Sequence, residues 1–198
     1  MSELFTNKVI AWNAARRDRV FDFDLCCEML SEEIDELYRS CSIIESMDAI
    51  GDIVFVAIGE LWKMGLHHDD IARIMYQENL TLFNGCKQCY DYSNYVRSVV
   101  LNALYEAYKD NPLVAVGFDY ALNSIFLIAL PAAQGLGVRS IFYDICHAIC
   151  DSNNTKEIVK VGSNVKSSKG PNFVPPTGKL VNLLEILQGA NKDGTSIQ

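Results

Sequence analysis

Ser31-Glu32-Glu33-Ile34-Asp35-Glu36, followed nine residues on by Glu45-Ser46-Met47-Asp48-Ala49-Ile50-Gly51-Asp52, is the stretch on which the reading of this chain turns. On a helix, side chains three or four residues apart share a face. Glu33 and Glu36 therefore project together from one helix, and Asp48 and Asp52 from the next. The short connection predicts that the two helices run antiparallel, so that the four carboxylates converge. Most E-E-x-x-E strings are solvated helix faces. The aspartates argue otherwise, because they open a helix whose other residues (Ile50, Ile53, Val54, Val56, Ala57, Ile58) are apolar almost all round. Acids in so buried a helix need partners. Gathered carboxylates repel and raise one another's pKa, and the natural counter-ion is a hard, oxygen-seeking divalent cation, Mg²⁺ or Mn²⁺.

Outward from this hairpin the spacing is helical nearly throughout, without convincing period-two alternation. Helices are predicted over 4–19, from an Asp24 cap to about residue 40, over 42–66 with Gly65 as stop signal, and over 69–77. A polar connection at 79–91 leads to helices over 92–109, 112–134 and 138–150. From Asp151 the character changes to Ser, Asn, Gly, Lys and Pro, which predicts a loop-rich tail with a short helix at 180–187 and a frayed end. An internal repeat is also visible. Asp48-Ala-Ile-Gly-Asp52-Ile-Val-Phe resembles Asp119-Tyr-Ala-Leu-Asn123-Ser-Ile-Phe, and Glu36-Leu-Tyr-Arg-Ser resembles Glu106-Ala-Tyr-Lys-Asp. The expectation is one all-α domain over 1–198. It comprises a metal-binding hairpin half (1–80), a degenerate second half (91–151) and a tail (152–198), with two hairpins forming a four-helix core.

Composition narrows the function. At 198 residues, about half of them hydrophobic, the chain can bury a sizeable core. A net charge of −8 argues against nucleic-acid binding, which needs excess Lys and Arg. No apolar run approaches the roughly 20 residues of a membrane span. The longest, 125–133, is broken by Pro131. Residues 1–19 are polar, with no signal-peptide core. The seven cysteines are odd in number and scattered, as expected of reduced thiols in the cytoplasm. Cys86-x-x-Cys89 lacks a matching second pair for zinc.

The acidic residues also carry a resemblance. The sequence resembles the MazG-like, phosphoribosyl-ATP pyrophosphohydrolase-like superfamily of all-α nucleoside triphosphate pyrophosphohydrolases, whose signature is E-x-x-E, a spacer, then E-x-x-D. Glu33 and Glu36 match the first half and Asp52 ends the second. Ala49 stands where the third acid would be, and Asp48, one residue earlier, substitutes for it. Glu45, which makes a literal E-x-x-D with Asp48, competes as fourth ligand. Trp12 with Arg16 resembles a W-x-x-x-R of some members. Ser152-Asn153-Asn154-Thr155-Lys156 resembles S-N-x-[ST]-K, and Lys169-Gly170-Pro171-Asn172-Phe173-Val174-Pro175-Pro176 resembles K-G-x-N-[FY]-x-P-P.

The resemblance implies Mg²⁺- (or Mn²⁺-) dependent hydrolysis of a (deoxy)nucleoside triphosphate to the monophosphate and pyrophosphate, a nucleotide-pool housecleaning role. Glu33, Glu36, Asp48 and Asp52 would hold the metal, and Glu33 or Glu36 would act as base. Arg16, Lys156 and Lys169 would contact phosphates, and Asn153 base or sugar. The tandem arrangement is similar to that of dimeric dUTPases and admits a homodimer. In the second copy Ala103 stands opposite Glu33 and Asn123 opposite Asp52, so that half would be scaffold and part of the nucleotide pocket. The alternative is a nucleotide-binding or interaction protein of the same fold with weakened turnover.

Overall fold

The helix that carries Asp48 and Asp52, α3 (Ile43–Lys63), packs against elements from both ends of the chain. The computed structural model describes residues 4–16, 19–76, 111–161 and 164–192. Its N-terminal part is α1 (Phe5–Arg16), α2 (Phe23–Arg39), α3 and α4 (His68–Tyr76). After residues 77–110, which lie outside the described ones together with the helix expected at 92–109, come α5 (Leu113–Asn123), a π-helical stretch (Ser124–Ala129) and α6 (Leu130–Gly135). A 3₁₀ turn (Arg139–Ile141) leads into α7 (Phe142–Asn153). The chain then forms a hairpin, β1 (Glu157–Val161) with β2 (Asn164–Ser168), and ends in α8 (Thr177–Lys192). Among the described residues the fold is all-α apart from this hairpin.

Local chemistry fixes the α2–α3 hairpin. The cap of α2 is Asp22, whose carboxylate accepts from Leu25 N at 3.0 Å; the expected cap, Asp24, sits inside the first turn instead. Ser42 caps α3, its hydroxyl accepting from Glu45 N at 3.2 Å, while the Glu45 carboxylate accepts from Cys41 N at 2.7 Å. This reciprocal capping box ends the connection, and only residues 40–42 separate the helices, so they must run antiparallel. Gly65, with φ 106, stops the segment as expected.

The helix expected at 112–134 is interrupted. Leu130 N–H donates to Ile125 O, five residues back, and this wider turn lies directly before Pro131. A regular α-helix would drive the proline ring into the carbonyl of Leu127; the π turn absorbs it. Leu113–Gly135 is long and apolar enough by composition to match a membrane span, yet half of it is buried in the fold, as in a core helix.

The core includes Phe5, Leu30, Ile53, Ile58, Phe118 and Phe142. α7 approaches α3 at Gly51, where an added Cβ would lie only 2.2 Å from Ile149. Only glycine admits this contact, which brings the end of α7 beside Asp52. Two expectations about the tail are corrected. Glu157–Val161 and Asn164–Ser168 are paired antiparallel strands, not loop, with Glu157 paired to Ser168 and Val161 to Asn164. The last helix is longer than 180–187, reaching Lys192. It is tied down by Asp151, which accepts from Lys8 at 2.9 Å and Lys179 at 2.7 Å, linking α1, α7 and α8.

Candidate active site

Glu33 and Glu36 stand one turn apart on α2, and Asp48 and Asp52 one turn apart on α3, the helix packed against it. Charges on each helix act on carboxyls of the other. Burial pushes the Glu33 carboxyl up to about 8, with the charges of Asp52 and Glu36 raising it further against Lys156. Burial pushes Asp48 up to about 6, again with Asp52 and Glu36 adding to the rise, while Lys169 opposes it. Asp52 is raised by burial too, held back by Lys156 and by a hydrogen bond from Asn153. Asp52 and Glu36 thus act on both Glu33 and Asp48.

Glu45, the competing ligand, spends its carboxylate on the helix cap. Asn153 Nδ2 donates to Asp52 Oδ1 at 3.3 Å, and its backbone carbonyl accepts from Trp12 Nε1 at 2.9 Å. Lys156 and Lys169 flank the hairpin: because Glu157 pairs with Ser168, the two lysines leave the ladder together at its base, facing the acids. Lys169 Nζ also lies 5.4 Å from the Phe173 ring centre. Arg16 is placed differently. Its guanidinium sits 4.8 Å over the Trp12 ring and donates to Trp12 O at 3.4 Å, and it is not among the charges that act most on the carboxylates.

Beside the cluster opens a cleft of about 180 Å³ lined by Glu33, Asp52, Asn153 and Lys156 at one end. Trp12, Met29, Phe55 and Val56 form its walls, with Asn13, Gly59 and Glu60 further along. Sequence reasoning missed Asn13, Gly59 and Glu60. Glu60 and Lys63, three apart in the apolar second half of α3, were a visible signal: they form a buried ion pair at 2.5 Å. None of the cleft lining comes from α5. The described part of the second half contributes support, for example Tyr120 OH hydrogen-bonded to Ser31 Oγ at 3.0 Å. Ala103, Glu106, Cys86 and Cys89 lie outside the described residues.

The donor set suits a hard cation: it offers oxygen only, from carboxyls of which Glu33, Asp48 and Asp52 are raised by burial. Among the described residues, no group of three or more His, Cys, Asp or Glu side chains is close enough to hold a metal ion as they stand. The acids are gathered but not closed around a point.

Residues 5–79 match the family model described as phosphoribosyl-ATP pyrophosphohydrolase, within the MazG-like all-α nucleoside triphosphate pyrophosphohydrolase superfamily. The match bears out the resemblance read from the sequence. It covers α1 to α4 and all four acids, and it ends before Asn153, Lys156 and Lys169. That part of the chain is thus similar to pyrophosphohydrolases, which act on acid anhydrides. No curated protein and no solved structure is significantly similar to the chain.

Proposed function

We propose that the protein hydrolyses a (deoxy)nucleoside triphosphate to the monophosphate and pyrophosphate with Mg²⁺ bound by Glu33, Glu36, Asp48 and Asp52. The observation that carries this is that Asp52 and Glu36 act on both Glu33 and Asp48 beside a cleft, with the charges of Lys156 and Lys169 opposing them. Bound Mg²⁺ would supply the positive charge that lets triphosphate oxygens approach an acidic face and would orient the attacking water. Lys156 and Lys169 take the outer phosphates, their charges placed by the hairpin base. Glu33, or Glu36 beside it, accepts the water's proton; the water oxygen bonds to phosphorus as the anhydride P–O bond breaks and pyrophosphate leaves. Asn153 orients Asp52 through its amide. Phosphoryl transfer gains mainly from positioning and charge neutralisation, so no nucleophilic side chain is required.

A second reading, a nucleotide-binding protein with weakened turnover, is favoured by the open spacing of the acids. A panel of deoxynucleoside triphosphates with Mg²⁺ and pyrophosphate detection separates the two. The hydrolase reading expects turnover of at least one, abolished by Glu36→Gln with helicity intact. Tight Mg²⁺-dependent binding with no turnover of any nucleotide overturns it in favour of the second.

A further inference from the structure

The end of α7 and the segment after the β-hairpin are joined through the backbone of one residue. Val174 N–H donates to Thr155 Oγ1 at 2.8 Å, and Val174 O accepts from Ser152 Oγ at 2.8 Å, while the Val174 side chain is left largely exposed. A hydroxyl has a single proton. Thr155 spends its own on Ser152 O at 2.7 Å, which leaves an oxygen lone pair for Val174 N–H. Between the ladder and this pair of hydroxyls the chain turns tightly: Gly170 N–H donates to Ser168 O and Phe173 N–H to Gly170 O, each at 3.0 Å. An added Cβ at Gly170 would collide with the Glu157 carboxylate, so the turn lies close against β1. Phe173, next to the clamped residue, offers its ring to Lys169, whose Nζ lies 5.4 Å from the ring centre. The pairing of Glu157 with Ser168 thus anchors one end of the turn, and Ser152 with Thr155 anchors the other.

We propose that Ser152 and Thr155 are positioning residues, acting through Val174 and Phe173 to hold Lys169 where it meets the phosphates of a bound nucleotide. The inference rests on the nucleotide reading above and names what sets its phosphate contact. A lysine on a four-carbon stem loses rotamer freedom when it is fixed on a ligand. A turn anchored at both ends, with an aromatic face under the ammonium, removes part of that freedom before the ligand arrives. With the clamp broken, the turn is anchored at the ladder alone and Lys169 binds from a wider range of positions.

The test is a double-mutant cycle read by binding. Hydrolysis-resistant α,β-imido analogues of the common deoxynucleoside triphosphates are titrated calorimetrically into the full chain with Mg²⁺, and the tightest binder is carried through the variants. Thr155→Val keeps the shape and removes the hydroxyl, and should weaken binding by about fivefold, the order of one hydrogen bond. In the Lys169→Met background the same substitution should cost less than about twofold, because the group through which it acts is gone. Thr155→Ser should bind as the wild type does. Ser152→Ala, which removes the bond to Val174 O, supplies the cycle where Thr155→Val does not fold. A merely structural role, such as the bond from Thr155 to Ser152 O, would weaken binding equally with and without Lys169. Equal losses in both backgrounds, no loss on Thr155→Val, or no effect of Lys169→Met itself overturns the positioning role even if pyrophosphate release stands. A loss confined to the Lys169 background, in a protein without turnover, supports it while sinking the hydrolase reading, and no binding of any analogue overturns both.

Discussion

Asn153 joins two parts of the site at once: its side-chain amide donates to Asp52 at 3.3 Å, and its backbone carbonyl accepts the Trp12 indole N–H at 2.9 Å. The residue that orients a cluster carboxylate is thus itself pinned by a wall of the cleft. Replacing the partner that orients a ligand typically costs 10–100-fold in metal affinity or activity. Asn153→Leu should therefore raise the Mg²⁺ concentration for half-maximal pyrophosphate release by about tenfold or more. Its circular dichroism should stay that of the wild type. A Mg²⁺ titration of the rate decides it.

Glu33 binds a proton in the folded state up to about 8, against an ordinary value of 4.5. With the folded pKa above the unfolded one, stability is greatest below about 4.5 and falls as pH rises through 8. Metal-free protein should accordingly melt lower at pH 8.5 than at pH 6. Glu33→Gln should flatten that slope and raise the midpoint at pH 8.5 by roughly 2–4 °C, the order expected for 1 kcal/mol in a chain this size. The same variant should be inactive. Melting curves across pH without divalent ions check it.

Lys156 and Lys169 oppose the acids across the site. Each substitution by Met should lower kcat/KM for a triphosphate by about tenfold, a loss near 1.4 kcal/mol. Each should also raise the carboxyl pKa values further, moving the rising limb of the rate–pH profile upward. Steady-state kinetics at several pH values separates these from general unfolding.

Asp151 lies far from this chemistry in function, tying α1 to α8 through Lys8 and Lys179. Its pKa is lowered by those two lysines against the opposing effect of burial. Its contribution is present above the usual carboxylate pKa and is lost as pH falls through the depressed value. Because Asp151 and Lys179 are substantially exposed, Asp151→Asn should cost no more than about 1 kcal/mol near neutral pH. It should leave the rate of pyrophosphate release unchanged. Urea unfolding at pH 7 and pH 3 measures both parts.

The α2–α3 hairpin was legible because carboxylate spacing, a serine cap and a short connection all point one way. The capping role of Glu45 was equally present in Ser42-x-x-Glu45, but the same spacing serves a metal ligand, and only geometry separates the two. Asp22 and Asp24 offered the same ambiguity: both can cap, and the backbone chooses the one whose carboxylate meets Leu25 N. The β-hairpin escaped because two five-residue strands, rich in Val and Lys, sit in a tail whose Ser, Asn, Gly, Lys and Pro content reads as loop. The cleft could not be read from the chain, since it depends on how closely α1 approaches α3 at Gly59.

Pairing of Glu157 with Ser168 sets the separation of the two cationic side chains, and nothing beyond the base of the ribbon is needed for it. A residue inserted into one strand alone would slip this register and move one lysine against the other, whereas a matched pair, one residue in each strand, would keep their spacing.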